Sequence, residues 1–272
     1  MLVLGWLAVS SRAFLCDTFT RNREEPALPK HKYPGILIAV EGIDGSGKTT
    51  QVSLLAQSLR DAGIPVVTSK EPTDGPWGAR IRASAQSGRM SLEDELHAFI
   101  QDRTHHVSTL IEPALADGAV VILDRYYFSS IAYQGSRGAN PQSIRTIMEE
   151  RFPIPDAVFL LDLDPRLSLY RIADLRGDQP NLFENLGGLT EAREIFLSLG
   201  NSVISRVDGS SPIPDVHKQI LSKFIDGPLK AKRCSKDYGC DDPYHCSFRQ
   251  SNTCVWWSLS RLIQVASQPQ AV

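Results

Sequence analysis

The 272-residue sequence has no apolar run approaching the roughly 18 to 20 residues of a membrane-crossing helix, so no segment reads as an integral membrane span. It also lacks a charge excess. With 29 Lys and Arg against 31 Asp and Glu, and both signs spread along the chain, there is no basic field of the kind a polyanion requires, which excludes a nucleic acid polymer as a partner. No internal repeat of fixed period occurs. The apolar stretch Met1 to Val9 lacks the positively charged leader of a secretory signal. Arg12, Arg21 and Arg23 in a mostly acid-poor stretch, Asp17 excepted, only loosely fit a transit peptide. Residues 1–34 are therefore expected to be a flexible N-terminal extension, an upstream start or a leader, with organelle import as the alternative.

What is present is ordinary in bulk and specific in detail. At 42% hydrophobic and 22% charged residues the chain can build one sizeable core. Between Gly35 and Ile225, short β-branched apolar runs alternate with amphipathic segments, the pattern of βαβ units around a parallel sheet. The runs Ile36 to Glu41, Ile64 to Lys70, Ala119 to Asp124, Ala157 to Leu163 and Ser202 to Asp208 predict strands buried on both faces. Thr49 to Ala62 predicts a helix with Gly63 just past its end. Leu92 to Ala116 predicts a longer one, capped by Ser91, with acidic residues in its first turn and a kink or split at Pro113. The fold class is α/β, with a domain at about 35–225 and an appendage at 226–272.

The first predicted strand runs into Gly42-Ile43-Asp44-Gly45-Ser46-Gly47-Lys48-Thr49, a complete G-x-x-x-x-G-K-[ST] loop followed by Thr50. A Gly-rich turn between a strand and a helix leaves backbone N–H groups pointing inward, where the phosphates of a nucleoside triphosphate can satisfy them. Lys48 adds a charge for the β- and γ-oxygens, and the Thr49 hydroxyl is placed for Mg²⁺. No Asn-Lys pair exists for reading guanine, which argues against a GTPase and leaves small-molecule kinases and mechanical ATPases. Asp124 and Arg125 end the third predicted strand, on the side of the sheet where α/β ligands bind. Asp124 reads as a second Mg²⁺ ligand and Arg125 as a phosphate clamp. The alternative is a surface salt bridge between neighbours.

Glu41 to Gln51, Glu71-Pro72-Thr73, Phe99 to Arg103 and Asp124 to Gly135 together resemble the thymidylate kinases, over about Gly35 to Ile225. The resemblance implies a three-layer P-loop kinase fold, a five-stranded parallel sheet flanked by helices with a short lid at about 171–186. It implies phosphorylation of dTMP to dTDP by ATP and Mg²⁺ in dTTP synthesis, in the cytoplasm, by a homodimer. The implied dTMP residues are Asp44 for the 3′-OH, Arg82 and Arg125 for the phosphate, Phe99 and Arg103 for the base with Ser130 and Gln134 near it, and also Glu71 and Tyr133. Arg80 is close enough to compete with Arg82. Periodicity alone would read Phe99 as core and Arg103 as a solvated charge. Tyr133 matches the aromatic residue that disfavours a ribose 2′-OH. Because the loop residues Ile43 to Ser46 include no basic side chain, the resemblance is to the type whose catalytic arginine comes from the lid. Arg176 is the expected one, with Arg171 second, beside Lys48 and Arg125.

Two rivals use the same scaffold: a P-loop kinase for other nucleosides or dUMP-like acceptors, and a non-catalytic nucleotide-binding protein. In the appendage, Cys234, Cys240, Cys246 and Cys254 are separated by five, five and seven residues, with no C-x-x-C pair. Their number allows a zinc or iron–sulfur site, and the alternative is an appendage without metal. Trp256 and Trp257 are expected to anchor this segment on the kinase body or a partner.

Overall fold

The computed structural model describes residues 31–175, 185–200 and 202–229. Five parallel strands form one sheet in the order β2-β3-β1-β4-β5: β1 Ile36–Glu41, β2 Val66–Lys70, β3 Val120–Asp124, β4 Ala157–Asp162 and β5 Ile204–Asp208. Alternation along β1 explains the three layers. Leu37 and Ala39 face a core shared with α3 (Leu92–His106), α5 (Tyr127–Gly135) and α8 (Leu186–Ser198). Ile36, Ile38 and Val40 face the opposite core, against α1 (Lys48–Asp61) and α9 (Ile213–Phe224). Among the described residues the other α-helices are α2 (Pro76–Ser87), α4 (Glu112–Ala116), α6 (Pro141–Arg151) and α7 (Pro165–Tyr170).

The three inner strands are buried nearly throughout. The expectation of burial on both faces fails for β2 and β5. Each lies at a sheet edge and mixes partly buried with exposed positions, with Val207 of β5 the one fully buried residue of the two strands, because an edge strand has only one neighbour and helices overlap the rim incompletely. Pro113 interrupts its helix as expected. It cannot donate to Thr109, and the chain widens over Val107–Ile111, where the Glu112 N–H reaches the Val107 carbonyl, before α4 resumes. Ser91 caps α3 by accepting from the Asp94 N–H.

The packed body is slightly wider than 35–225. The His31 ring lies 2.9 Å from Asp156, whose carboxylate also accepts from the Leu37 N–H, and Leu229 is buried in the α9-side core. Among the described residues, no helix is long and apolar enough to cross a membrane.

Candidate active site

At the carboxyl end of β1 the chain turns sharply into the loop, with Gly45 at φ 74° and Gly47 at φ 96°. A side chain at Gly45 would also lie 2.7 Å from the Ser168 carbonyl, so glycine serves both dihedral and space there. Gly47 caps α1 without a side-chain bond, and the first amides of the helix face the cleft. The buried Lys48 ammonium donates to the Ile43 carbonyl at 2.8 Å. Burial and the nearby Arg125 push its pKa down to about 8. Thr49 donates its hydroxyl to Asp124 at 2.5 Å. A hydroxyl and a carboxylate held together beside a phosphate loop are hard oxygen donors of the kind that fits Mg²⁺.

Asp124 and Arg125 do not form the neighbour salt bridge. Arg125 instead crosses the cleft to Asp44 at 2.6 Å and donates to the Ser129 hydroxyl at 3.0 Å and the Gly42 carbonyl at 3.2 Å. This explains an acid inside a phosphate loop. Burial alone would raise the Asp44 pKa, but Arg125, Lys48 and the Tyr133 hydroxyl, which donates at 2.9 Å, together hold it at about 2. Arg125 is the non-glycine residue with positive φ among the described residues, at 71°. That conformation costs on the order of 1 to 2 kcal/mol, offset by the contacts of its side chain with Asp44, Ser129 and Gly42. Glu41, at the end of β1, accepts from the Tyr126 N–H at 2.7 Å, the Ser129 N–H at 3.2 Å and the Ser129 hydroxyl at 2.7 Å.

Two cavities meet at these residues. The larger, about 890 Å³, is lined by the loop from Asp44 to Gln51, by Asp124, Arg125 and Arg171, and by Gly209 to Ile213 and Val216. Arg171 donates to the Gly209 carbonyl at 3.0 Å. The smaller, about 250 Å³, is lined by Asp44, Glu71, Arg82, Phe99, Arg103, Arg125, Tyr133 and Gln134, together with apolar atoms of Pro72, Ile81 and Ala85. Ser130 stands behind it and accepts from Arg103 at 3.2 Å. Arg82 donates to the Pro72 and Thr73 carbonyls at 3.0 and 2.7 Å, whereas Arg80 lies over the Trp77 ring, away from both cavities.

Arg103 is the clearest departure from periodicity. It is 1% exposed rather than solvated, with its guanidinium donating to Glu71 at 2.6 and 2.8 Å and lying over the rings of Tyr126 and Phe152. Burial would push the Glu71 carboxyl up, but Arg103 and the His106 ring, 3.0 Å away, hold it below its usual range. Asp102 accepts from the Thr73 N–H and hydroxyl at 2.7 and 2.6 Å. Glu41, Glu95, Asp102 and His106 had no assigned role in the sequence. A signal existed, since Glu41 ends an apolar strand, while the other three recur at helical spacing on the inward face of α3. Arg176 and most of the expected lid, like the four cysteines of the appendage, lie outside the described residues. Among the described residues no group of three or more His, Cys, Asp or Glu side chains is gathered for a metal.

A parallel sheet in this order, with a phosphate loop after β1 and an acceptor cavity opening beside it, defines a P-loop phosphotransferase of the nucleotide-kinase class. Comparison narrows the class. The family model described as thymidylate kinase matches residues 40–220. A thymidylate kinase of Xanthomonas campestris pv. campestris is 46% identical over 196 residues, covering 71% of this chain and 86% of its own. Those of Xanthomonas euvesicatoria and Akkermansia muciniphila are 47% and 45% identical, covering 71% and 68% of this chain and 86% and 89% of theirs. The chain belongs to the thymidylate kinase family.

Proposed function

We propose that the protein transfers the γ-phosphoryl group of ATP to dTMP, giving dTDP for dTTP synthesis, with the larger cavity taking ATP and the smaller the acceptor nucleotide. The observation that carries this reading is the junction of the two cavities at Asp44 and Arg125. A phosphate bound by Arg125 and Arg82 would face the γ-phosphoryl group at a near-attack distance of roughly 3 to 3.5 Å. The loop amides and Lys48 hold the β- and γ-phosphates, Lys48 exchanging the Ile43 carbonyl for phosphate oxygen. Thr49 and Asp124 would hold Mg²⁺, which neutralises charge on the transferring group. The acceptor phosphate is itself the nucleophile, so positioning replaces a general base.

In the smaller cavity Phe99 offers a face for the base, and Arg103, locked by Glu71, donates toward O4 of thymine. Gln134 carries a buried carbonyl oxygen without a partner, which suits the N3–H. Asp44 retains lone pairs for the 3′-OH, and the Tyr133 ring, fixed by its bond to Asp44, leaves little room for a 2′-OH. Arg176 completes the site from the lid, with Arg171 the second choice. The kinase domain spans about 35–225. By resemblance the enzyme works as a cytoplasmic homodimer. For the cysteine-rich appendage, zinc or iron–sulfur ligation and a metal-free segment remain the two readings, and stoichiometric metal analysis of the purified protein separates them.

The test is ADP release measured with dTMP, TMP, dUMP, dCMP and dAMP as acceptors. Turnover with dTMP well above the others is expected; a protein that turns over one of the others instead, or none, contradicts the proposal.

A further inference from the structure

Helix α3 carries a carboxylate with no part in phosphoryl transfer. Glu95 is fully buried, and three side chains converge on it. Arg89 donates through Nε at 2.9 Å and NH2 at 3.1 Å, Arg137 NH1 lies 2.7 Å away, and Gln134 donates through Nε2 at 2.8 Å. A carboxylate paired with two guanidinium groups accepts and does not donate. The Gln134 amide must therefore turn its NH2 toward Glu95, which leaves Oε1 at its other end. That oxygen has no partner although Gln134 is only 1% exposed and lines the smaller cavity. A buried lone acceptor is unfavourable until a ligand donor meets it.

We infer that Glu95 is a specificity-determining residue: by fixing the orientation of the Gln134 amide, it makes the cavity require an N–H donor at N3 of the bound base. Thymine and uracil carry that hydrogen. Cytosine presents a lone pair at N3 and meets Oε1 with two acceptors face to face. An unlocked glutamine would rotate its amide by half a turn and offer NH2 to cytosine, and Glu95 removes that option. Glu95 acts through Gln134, as a positioning residue. The inference rests on the nucleoside reading of the smaller cavity.

The experiment compares kcat/KM for dTMP and dCMP in the wild type, Glu95→Gln, Gln134→Ala and the double variant. Glu95→Gln is expected to lower the dTMP-to-dCMP ratio about tenfold, within the range a single polar contact can discriminate. Its KM for ATP should not change. Gln134→Ala should lower the ratio as well, and Glu95→Gln should add nothing in that background. If Glu95→Gln does not fold, judged by its thermal melt, Glu95→Asp takes its place, since it keeps a charge for the two arginines but stops a methylene short of Gln134. A folded Glu95 variant with an unchanged ratio, alongside a lowered ratio in Gln134→Ala, overturns the inference and leaves the nucleoside reading standing. An unchanged ratio in Gln134→Ala overturns the reading of the cavity itself.

Discussion

Glu41, fully buried, and Asp44, partly buried with its side chain 26% exposed, are three residues apart in the chain at the rim of the phosphate loop, and their pKa values move in opposite directions. Burial raises Glu41 from 4.5 to about 7, against the pull of Ser129, Arg125 and the Tyr126 amide. The folded protein thus binds this proton more tightly than the unfolded chain. The contribution to stability is complete below pH 4.5 and is lost as pH rises through about 7, up to roughly 3 kcal/mol at about 1.4 kcal/mol per pH unit. Asp44 does the reverse, contributing above pH 3.8 and losing that contribution as pH falls through about 2. The windows do not overlap. Urea unfolding of the unliganded protein at pH 5 and pH 7.5 should show the loss on the alkaline side, and Glu41→Gln should flatten it while keeping an acceptor for the amides. A second prediction concerns Asp44. Asp44→Asn should lower kcat/KM for dTMP by roughly 10- to 100-fold, the scale of a charged hydrogen bond. With 3′-deoxy-dTMP the penalty should shrink, since no 3′-OH remains to be held; an equal penalty would remove the 3′-OH from the account.

At the scale of elements, α2 is fixed by a contact that admits no side chain. A Cβ at Gly78 would lie 1.9 Å from the Thr73 carbonyl, the same oxygen that accepts from Arg82 at 2.7 Å. Gly78→Ala must therefore separate α2 from the turn before it, at a cost of about 1 to 3 kcal/mol. The KM for dTMP should rise more than kcat falls, because Arg82 moves with the helix; steady-state kinetics beside a thermal melt check both parts. The lid gives the opposite pattern. Arg176→Ala should lower kcat far more than it raises the KM for dTMP, as expected for a group that acts in the transition state, and an unchanged kcat would return the role to Arg171.

For the whole molecule, the larger cavity is lined by Val216 of the α9-side core and the smaller by Tyr126 and Tyr133 of the other core, so nucleotides bound in both would tie the two layers to the sheet. Saturation with dTMP at about a hundred times its Kd should raise the unfolding free energy by roughly 2.7 kcal/mol, with much less from dCMP at the same concentration. Urea titrations with each nucleotide measure the difference. Strand β1 begins and ends where its apolar run does, and the loop motif lies where its spacing requires, because both depend on neighbours in sequence. The edge strands were harder to read, since an apolar run looks the same with one neighbouring strand as with two. Arg103 was harder still. Helical spacing placed it beside Phe99, but its burial depends on Glu71, at the end of another strand 32 residues away.

The sequence by itself determined the phosphate loop, the alternation that makes a parallel sheet and the acceptor motifs. These are local patterns of glycine, charge and period. Only the tertiary structure decided that Arg125 neutralises Asp44, that Arg82 rather than Arg80 reaches the cleft, and that Glu95 turns the amide of Gln134. Each of those depends on which strand and helix ends are brought within about 3 Å of one another, the reach of a hydrogen bond. No single segment contains that information.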